Sequence, residues 1–477
     1  MNYFILKYPV KNYIAVAAVA VATTACVGLP PKDTATKVAE ISSGDFARPG
    51  HGEWPAQDWW KQFHDPQLDT LMEQGLRNSP SIEVASARAR QAAATVGAVA
   101  ADAGAQLSLD GQVSRQLYSG NSFYPPPLGG NYASGGNIDL NFNYNFDFWG
   151  RNRSALQGAL GRKAASEAET EQASLTLSNS IAKVYFQWQS LSAQIALMNS
   201  IEKARGDLIG LEQKRIKAGI ATGDNLHPLQ ADMAAPQQTI VQLKTQQEQT
   251  LYQLKYLIAA RGPIDLKPVP LPVPDSVIPA DLHVDLLERR PDVSAARDRV
   301  LASLSDVDSA RAAYYPDFSI SAFIGLNSLQ LGSLLHADSR EQGVAPALHL
   351  PIFDAGRLRA NLNNSRADVA YAVAQYDAAV QTSIAEVNDA ILRFDGLDHE
   401  HPKLVAQLQA RSNYQDSAQR RWSAGLTDQR ELVRDQLAVL EIQDQELQWQ
   451  AQMLAAQVDL IKALGGGFQM AAQEAAR

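Results

Sequence analysis

The chain has 477 residues, of which 45% are hydrophobic and 19% charged, with a formal net charge of -9. That length holds several ordinary domains or one elongated repeat, and the acidic balance excludes nucleic-acid binding, which is driven by Lys and Arg neutralising phosphates. A single cysteine, Cys26, excludes an internal disulfide framework and any CxxC redox or zinc site.

In chain order, Lys7 and Lys11 followed by the apolar run Ile14–Ala22 predict an export signal over residues 1–25. Cys26 follows Thr23-Thr24-Ala25 and resembles a bacterial lipobox, although Thr23 stands where that motif carries Leu. The resemblance implies an N-acyl and S-diacylglycerol lipid on Cys26, with Val27 fitting sorting to the outer membrane. No other cofactor is expected. Outside the N-terminus no stretch reaches the ~20 apolar residues of a membrane helix, so any further span is made of strands.

Residues 26–80 read as an anchor and strap. Trp54, Trp59, Trp60 and Phe63 there are expected to pack against helices rather than to form a ligand box. Two repeats follow, at 81–260 and 291–464. Each comprises an Ala-rich helix (Ser81–Ala103, Asp292–Ala313), a β-hairpin, and a long helical hairpin returning at about Asn225–Ala260 and Asp428–Leu464. Gly150-Arg151-Asn152-Arg153 parallels Gly356-Arg357-Leu358-Arg359, and the Ala218-Gly219 turn parallels Ala424-Gly425. Gly150 precedes Gly219 by 69 residues, and Gly356 precedes Gly425 by 69 as well. At ~1.5 Å per residue such a segment extends on the order of 100 Å as helix. The Pro-rich linker 261–290 can be neither helix nor central strand, and 465–477 reads as a flexible tail.

In Asn137–Phe148, Ile138, Leu140, Phe142, Tyr144, Phe146 and Phe148 alternate with Asn and Asp only. One aromatic face against one polar face suits a barrel wall between lipid and water. Its partner is Leu107–Leu117, with Tyr118–Ser134 as an exposed loop. The second repeat offers Asp317–Leu326 and Val344–Phe353. Four strands close no barrel, and open edges are not tolerated in lipid, so the sequence demands an oligomer without counting its protomers.

These features resemble the TolC family of outer-membrane channels, in the lipoprotein branch often called the OprM or NodT group. The matching residues are Cys26, Trp59-Trp60 through Leu68, Asn78-Ser79-Pro80, Leu287-Glu288-Arg289-Arg290-Pro291-Asp292-Val293, Ala312–Pro316 and Pro351–Arg357, together with the two Ala-Gly turns. The resemblance implies an α+β, mainly α, fold whose long coiled-coil helices form a periplasmic α-barrel below a trimeric twelve-stranded β-barrel. It implies a homotrimer in outer-membrane lipid, working with a periplasmic adaptor and an inner-membrane pump as a passive exit duct for drugs or other small molecules. The Gly219 and Gly425 turns become the periplasmic aperture where the adaptor docks. Trp422 takes the aromatic place before Gly425, and Arg434 stands where relatives often carry Asp, beside Asp435. The expected closure is Trp422 with Arg434–Asp435 pairing between helices. Alternatives are a duct for type I protein secretion or metal-ion efflux and, in a different class, a periplasmic coiled-coil scaffold lipoprotein. The chain carries no nucleophile elbow, P-loop or Rossmann fingerprint, so no enzyme is expected. His399-Glu400-His401-Pro402 reads as a helix break rather than a metal site.

Overall fold

The computed structural model describes residues 53–273 and 289–469. The export signal, Cys26, Leu287, Glu288 and residues 470–477 lie outside the described residues. The elements in order are α1 (Pro66–Asn78), α2 (Pro80–Asp102), β1 (Gln106–Leu117), β2 (Tyr132–Phe146), α3 (Arg151–Lys217) and α4 (Leu226–Leu257), then α5 (Pro291–Ala312), β3 (Asp317–Ser328), β4 (Arg340–His349), α6 (Arg357–Ser423) and α7 (Gln429–Ala463). Both α3 and α6 run for 67 residues. Two compact units result, each drawn from both halves of the chain. One comprises Gln91–Ala164 with Asp298–Gln375; the other holds the described residues up to Arg90, Ala165–Arg297, and those from Tyr376.

In the first unit the strands form one antiparallel sheet ordered β1-β2-β3-β4. Short acidic side chains convert strand into helix at both junctions. Asp147 accepts from the backbone N–H of Asn152 at 3.1 Å and of Arg153 at 2.9 Å. Asp354 accepts from Gly356 at 3.0 Å and Leu358 at 2.8 Å. These bonds satisfy first-turn amides that have no partner inside the helix. Gly150 (φ 76°) and Gly356 (φ 87°) make the turn in the left-handed region, which explains the glycine of both G-R-x-R motifs. In the same unit, α3 and α5 approach so closely that a Cβ at Gly161 would lie 3.0 Å from the Ala302 methyl. Arg162 pairs with Asp306 at 2.6 Å across the same contact.

β4 differs from the sequence expectation of Val344–Phe353. It starts four residues earlier and stops at His349, because register rather than local alternation decides. His349 pairs with Asp317, the first residue of β3, so nothing lies opposite Pro351 and beyond. Likewise β2 begins at Tyr132, inside the expected loop, because Leu117 is there to pair with it.

The second unit is built on a core of Trp59, Phe63, Leu68, Met72, Ile181, Tyr185, Phe186, Leu254, Ile258, Leu454 and Val458. Each such side chain contributes about 1.5–3 kcal/mol by leaving water. Asp65 starts α1 by accepting from Gln67 N–H at 2.9 Å, with Pro66 at the first helical position. Its other oxygen takes the Tyr185 hydroxyl. Burial, reinforced by that carboxylate, pushes the Tyr185 phenol well above its usual range. The Pro-rich strap, as far as Val273, has no helix or strand, and glutamine side chains take up its backbone amides. Gln67 accepts from Lys267 N–H and Gln189 from Val269 N–H, both at 2.9 Å.

Arg290 explains its motif. Its side chain is buried, pairs with Asp292 and Glu386 at 2.7 Å each, and donates to the Ala463 carbonyl at 3.0 Å in the last turn of α7. Burial works against its charge, but the two carboxylates hold its pKa above the usual value. Gly465–Gly467, expected to open a flexible tail, are packed instead. A Cβ on Gly465, Gly466 or Gly467 would strike Arg289, Leu175 or Ala56 respectively, so only glycine admits this approach.

Candidate conduit surface and helix turns

The sheet register sorts the strands into two faces. Leu107, Leu109, Val113, Ile138, Leu140, Phe142, Ile320, Ile324 and Val344 share one face. That face is open: Leu109 is 70% exposed and Val344 69%. Such an apolar surface on an isolated chain marks contact with lipid or protein. The other face carries Ser108, Asp110, Gln112, Asn137, Asp139, Asn141, Asn143, Asn145, Ser319 and Ser321. Phe323 interrupts it, its ring lying over Gly343.

Within the polar face three carboxylates fall in one row. Asp110 pairs with Asp139, Asp139 with Gly325, and Gly325 with Glu341. Gly325 leaves room for the Asp139 carboxylate, which a Cβ there would strike. Asn141 donates to Asp110 at 2.9 Å and Asn137 to Asp139 at 2.5 Å, so amides rather than cations partner these acids. Pairwise alternation was legible in the sequence. The row was not, because it depends on three registers at once.

Both long helices end alike. Gly219 (φ 72°) donates to Ile216 O and Ile220 to Arg215 O; Gly425 (φ 70°) donates to Trp422 O and Leu426 to Arg421 O. This is the double bond of a Schellman stop, which requires a left-handed residue and so selects glycine. Ile220 and Leu426 are exposed beyond the turns, and Trp422 is 39% exposed. A recess of about 250 Å³ lies between the first turn, at Ala218 and Ile220, and the start of α7, at Asp428–Arg430.

The ion pair beside these turns is not Arg434–Asp435 within one chain. Arg430 bridges Asp428 at 2.6 Å and Glu212 at 3.0 Å, joining α7 to α3. The Glu212 side chain is 3% exposed and is also approached by Arg215 at 3.5 Å and Asn225 at 3.3 Å. Arg434 is exposed and borders a neighbouring recess of about 480 Å³ with Arg205, Glu212 and Asp232. Asp435 keeps one buried oxygen without a partner. Burial and the adjacent Glu431 push its carboxyl above the usual range, against the pull of Arg421 and Arg411.

Among the described residues, Pro236 and Pro402 sit inside helices. Pro236 lies in α4, where its missing N–H orphans the Asp232 carbonyl four residues back. Arg205 of α3 donates to that same carbonyl. Pro402 lies in α6, which continues through the expected break at His399–Pro402. Trp449 of α7 donates to the Leu397 carbonyl at 2.8 Å and stacks on His401 at 3.7 Å, while Glu446 meets His401 at 3.1 Å. The helix runs on where the local sequence reads as a stop, with these partners from the facing helix packed beside it.

An open sheet with one apolar and one polar face, joined to helical hairpins with matched glycine stops, defines a channel subunit of the outer-membrane class. The sequence profile of the outer membrane efflux protein family matches residues 71–260 and 282–466, and the chain belongs to that family. It is 33% identical to the multidrug resistance outer membrane protein MdtP of Escherichia coli K12, over 91% of each chain. To MdtQ of E. coli O157:H7 it is 31% identical, over 87% of this chain and 89% of the relative. Among solved structures, the outer-membrane channel OprN superposes with TM-score 0.79 at 25% identity, covering 93% of this chain and 99% of OprN. VceC of Vibrio cholerae superposes with TM-score 0.76 at 29% identity, covering 87% and 100%.

Proposed function

We propose that this outer-membrane efflux protein is one protomer of a homotrimeric exit duct, lipid-anchored through Cys26, that passes small toxic compounds handed over by an inner-membrane pump and a periplasmic adaptor. The open four-stranded sheet carries the reading. Its exposed apolar face belongs in lipid, its Asn/Asp face belongs in water, and its edges β1 and β4 each need a partner. Three such sheets make a twelve-stranded barrel. Two 67-residue helices, each entered by a positive-φ glycine and left by a Schellman stop, support a duplicated unit. The turns at Gly219 and Gly425, with Trp422, form the aperture, and exposed Ile220 and Leu426 offer apolar contact to the adaptor. The names of MdtP and MdtQ favour drugs over peptides or metal ions as cargo.

The test is purification of the full chain from outer membranes. A heat-modifiable trimer that gives single-channel currents in planar bilayers, and a drug-sensitive deletion strain, are expected. A chain that stays monomeric and soluble once its lipid anchor is removed overturns the duct in favour of a scaffold.

A further inference from the structure

The four strands contain two arginines and no lysine, with Arg115 in β1 and Arg340 in β4. Both stand on the apolar face: Arg115 follows Leu109 and Val113 along β1, and Arg340 pairs with Leu326. Both also stand at the same end of the sheet, where the loops join β1 to β2 and β3 to β4. Arg115 is two residues from the end of its strand, and Arg340 is the first residue of β4. The opposite end of this face has Tyr144, Phe146, Phe318 and Leu348, with no charge.

Among the described residues neither arginine makes an ion pair. Arg115 lies over the Tyr132 ring at 5.6 Å, and Arg340 donates through Nε to the Ala337 carbonyl at 3.2 Å. The acids of the strands face the other way. A guanidinium on a lipid-facing wall is costly at mid-bilayer but nearly free at the interface, where its planar fork suits phosphate. Loop leucines lie over the same region, since a Cβ on Gly136 would sit 3.3 Å from both Leu331 and Leu334.

β1 and β4 are the two edges of the sheet. In the trimer proposed above, on which this inference rests, β4 of one protomer lies beside β1 of the next. We propose that Arg340 of one protomer and Arg115 of its neighbour form, at each of the three seams, a site for the phosphate of an anionic lipid headgroup. Leu331, over Gly136, borders the Arg115 side of the site toward the acyl chains, and Tyr132 borders it toward the loops.

The delipidated trimer is titrated with phosphatidic acid or with the phosphate-free lipid monogalactosyldiacylglycerol, and retained lipid is counted by native mass spectrometry. Up to three phosphatidic acids per trimer are expected, with retention weakened about tenfold in R115Q/R340Q. The charge-conserving R115K/R340K should keep most of it and guards against a folding defect. The galactolipid should bind equally weakly to all three proteins. Equal retention of phosphatidic acid by wild type and R115Q/R340Q overturns the site, as does its displacement by excess inorganic phosphate, which would mark a free-anion site. Gel migration of each protein before and after heating is read separately. A monomeric wild type overturns the duct itself, whereas a normal trimer without lipid selectivity overturns only this proposal.

Discussion

Arg205 and Pro236 make a pair whose coupling can be measured. Pro236 is buried in α4 and cannot donate to the Asp232 carbonyl, and Arg205 supplies the missing bond from α3. Arg205→Met keeps most of the side-chain bulk and removes the donor. An unsatisfied carbonyl costs about 1–3 kcal/mol, and partial solvent access at this site places the loss near 1 kcal/mol. That corresponds to roughly fivefold faster amide exchange in α4, read by hydrogen–deuterium exchange on the purified full chain. In a Pro236→Ala background residue 236 carries its own N–H, so Arg205→Met should then change exchange by less than about twofold. Equal acceleration in both backgrounds would refute the reasoning, because Arg205 would then act through packing and not through the orphaned carbonyl.

Arg430→Met leaves the buried Glu212 short of its nearest cation, a loss of about 3 kcal/mol for a pair broken on one side. Single-channel conductance should rise more than in Arg434→Ala, whose side chain is exposed; the reverse order would favour Arg434 as the gate residue. Replacing Asp110 and Asp139 with Asn and Glu341 with Gln removes the acidic row, and the reversal potential in a salt gradient should move toward zero. An unmoved potential would show that the row does not face the conducting path. Burial raises the Asp444 carboxyl pKa above its usual value, only partly opposed by the Gln448 hydrogen bond. The folded state therefore holds that proton more tightly than the unfolded one, and the group's contribution declines as pH rises from the usual carboxylate range through the raised pKa. Asp444→Asn should flatten that slope and raise the thermal midpoint at neutral pH; an unchanged slope would assign it to other groups.

Helix starts were legible to within a residue, since α2 was expected from Ser81 and starts at Pro80, and α7 was expected from Asp428 and starts at Gln429, whereas α4 stops at Leu257, three residues short of the expected Ala260. Proline at a first turn and aspartate before one are local signals. The glycines at 219 and 425 were legible for the same reason, because a left-handed stop leaves its mark on one residue. What stayed hidden depends on distant partners. Glu212 and Arg430 are 218 residues apart in the chain, and nothing around either names the other. The contacts of α6 around Pro402 come from Trp449 and Glu446 of α7, and the end of β4 is set by where β3 begins.

The two bare edges of the sheet also bear on gene dosage. In the proposed trimer each chain completes a seam on both sides, so a copy crippled at β1 or β4 would break every ring that it joins. When defective and intact chains are made in equal amounts, roughly one trimer in eight is wholly intact. A strain carrying one good and one edge-damaged copy should therefore behave almost as though it had lost the gene.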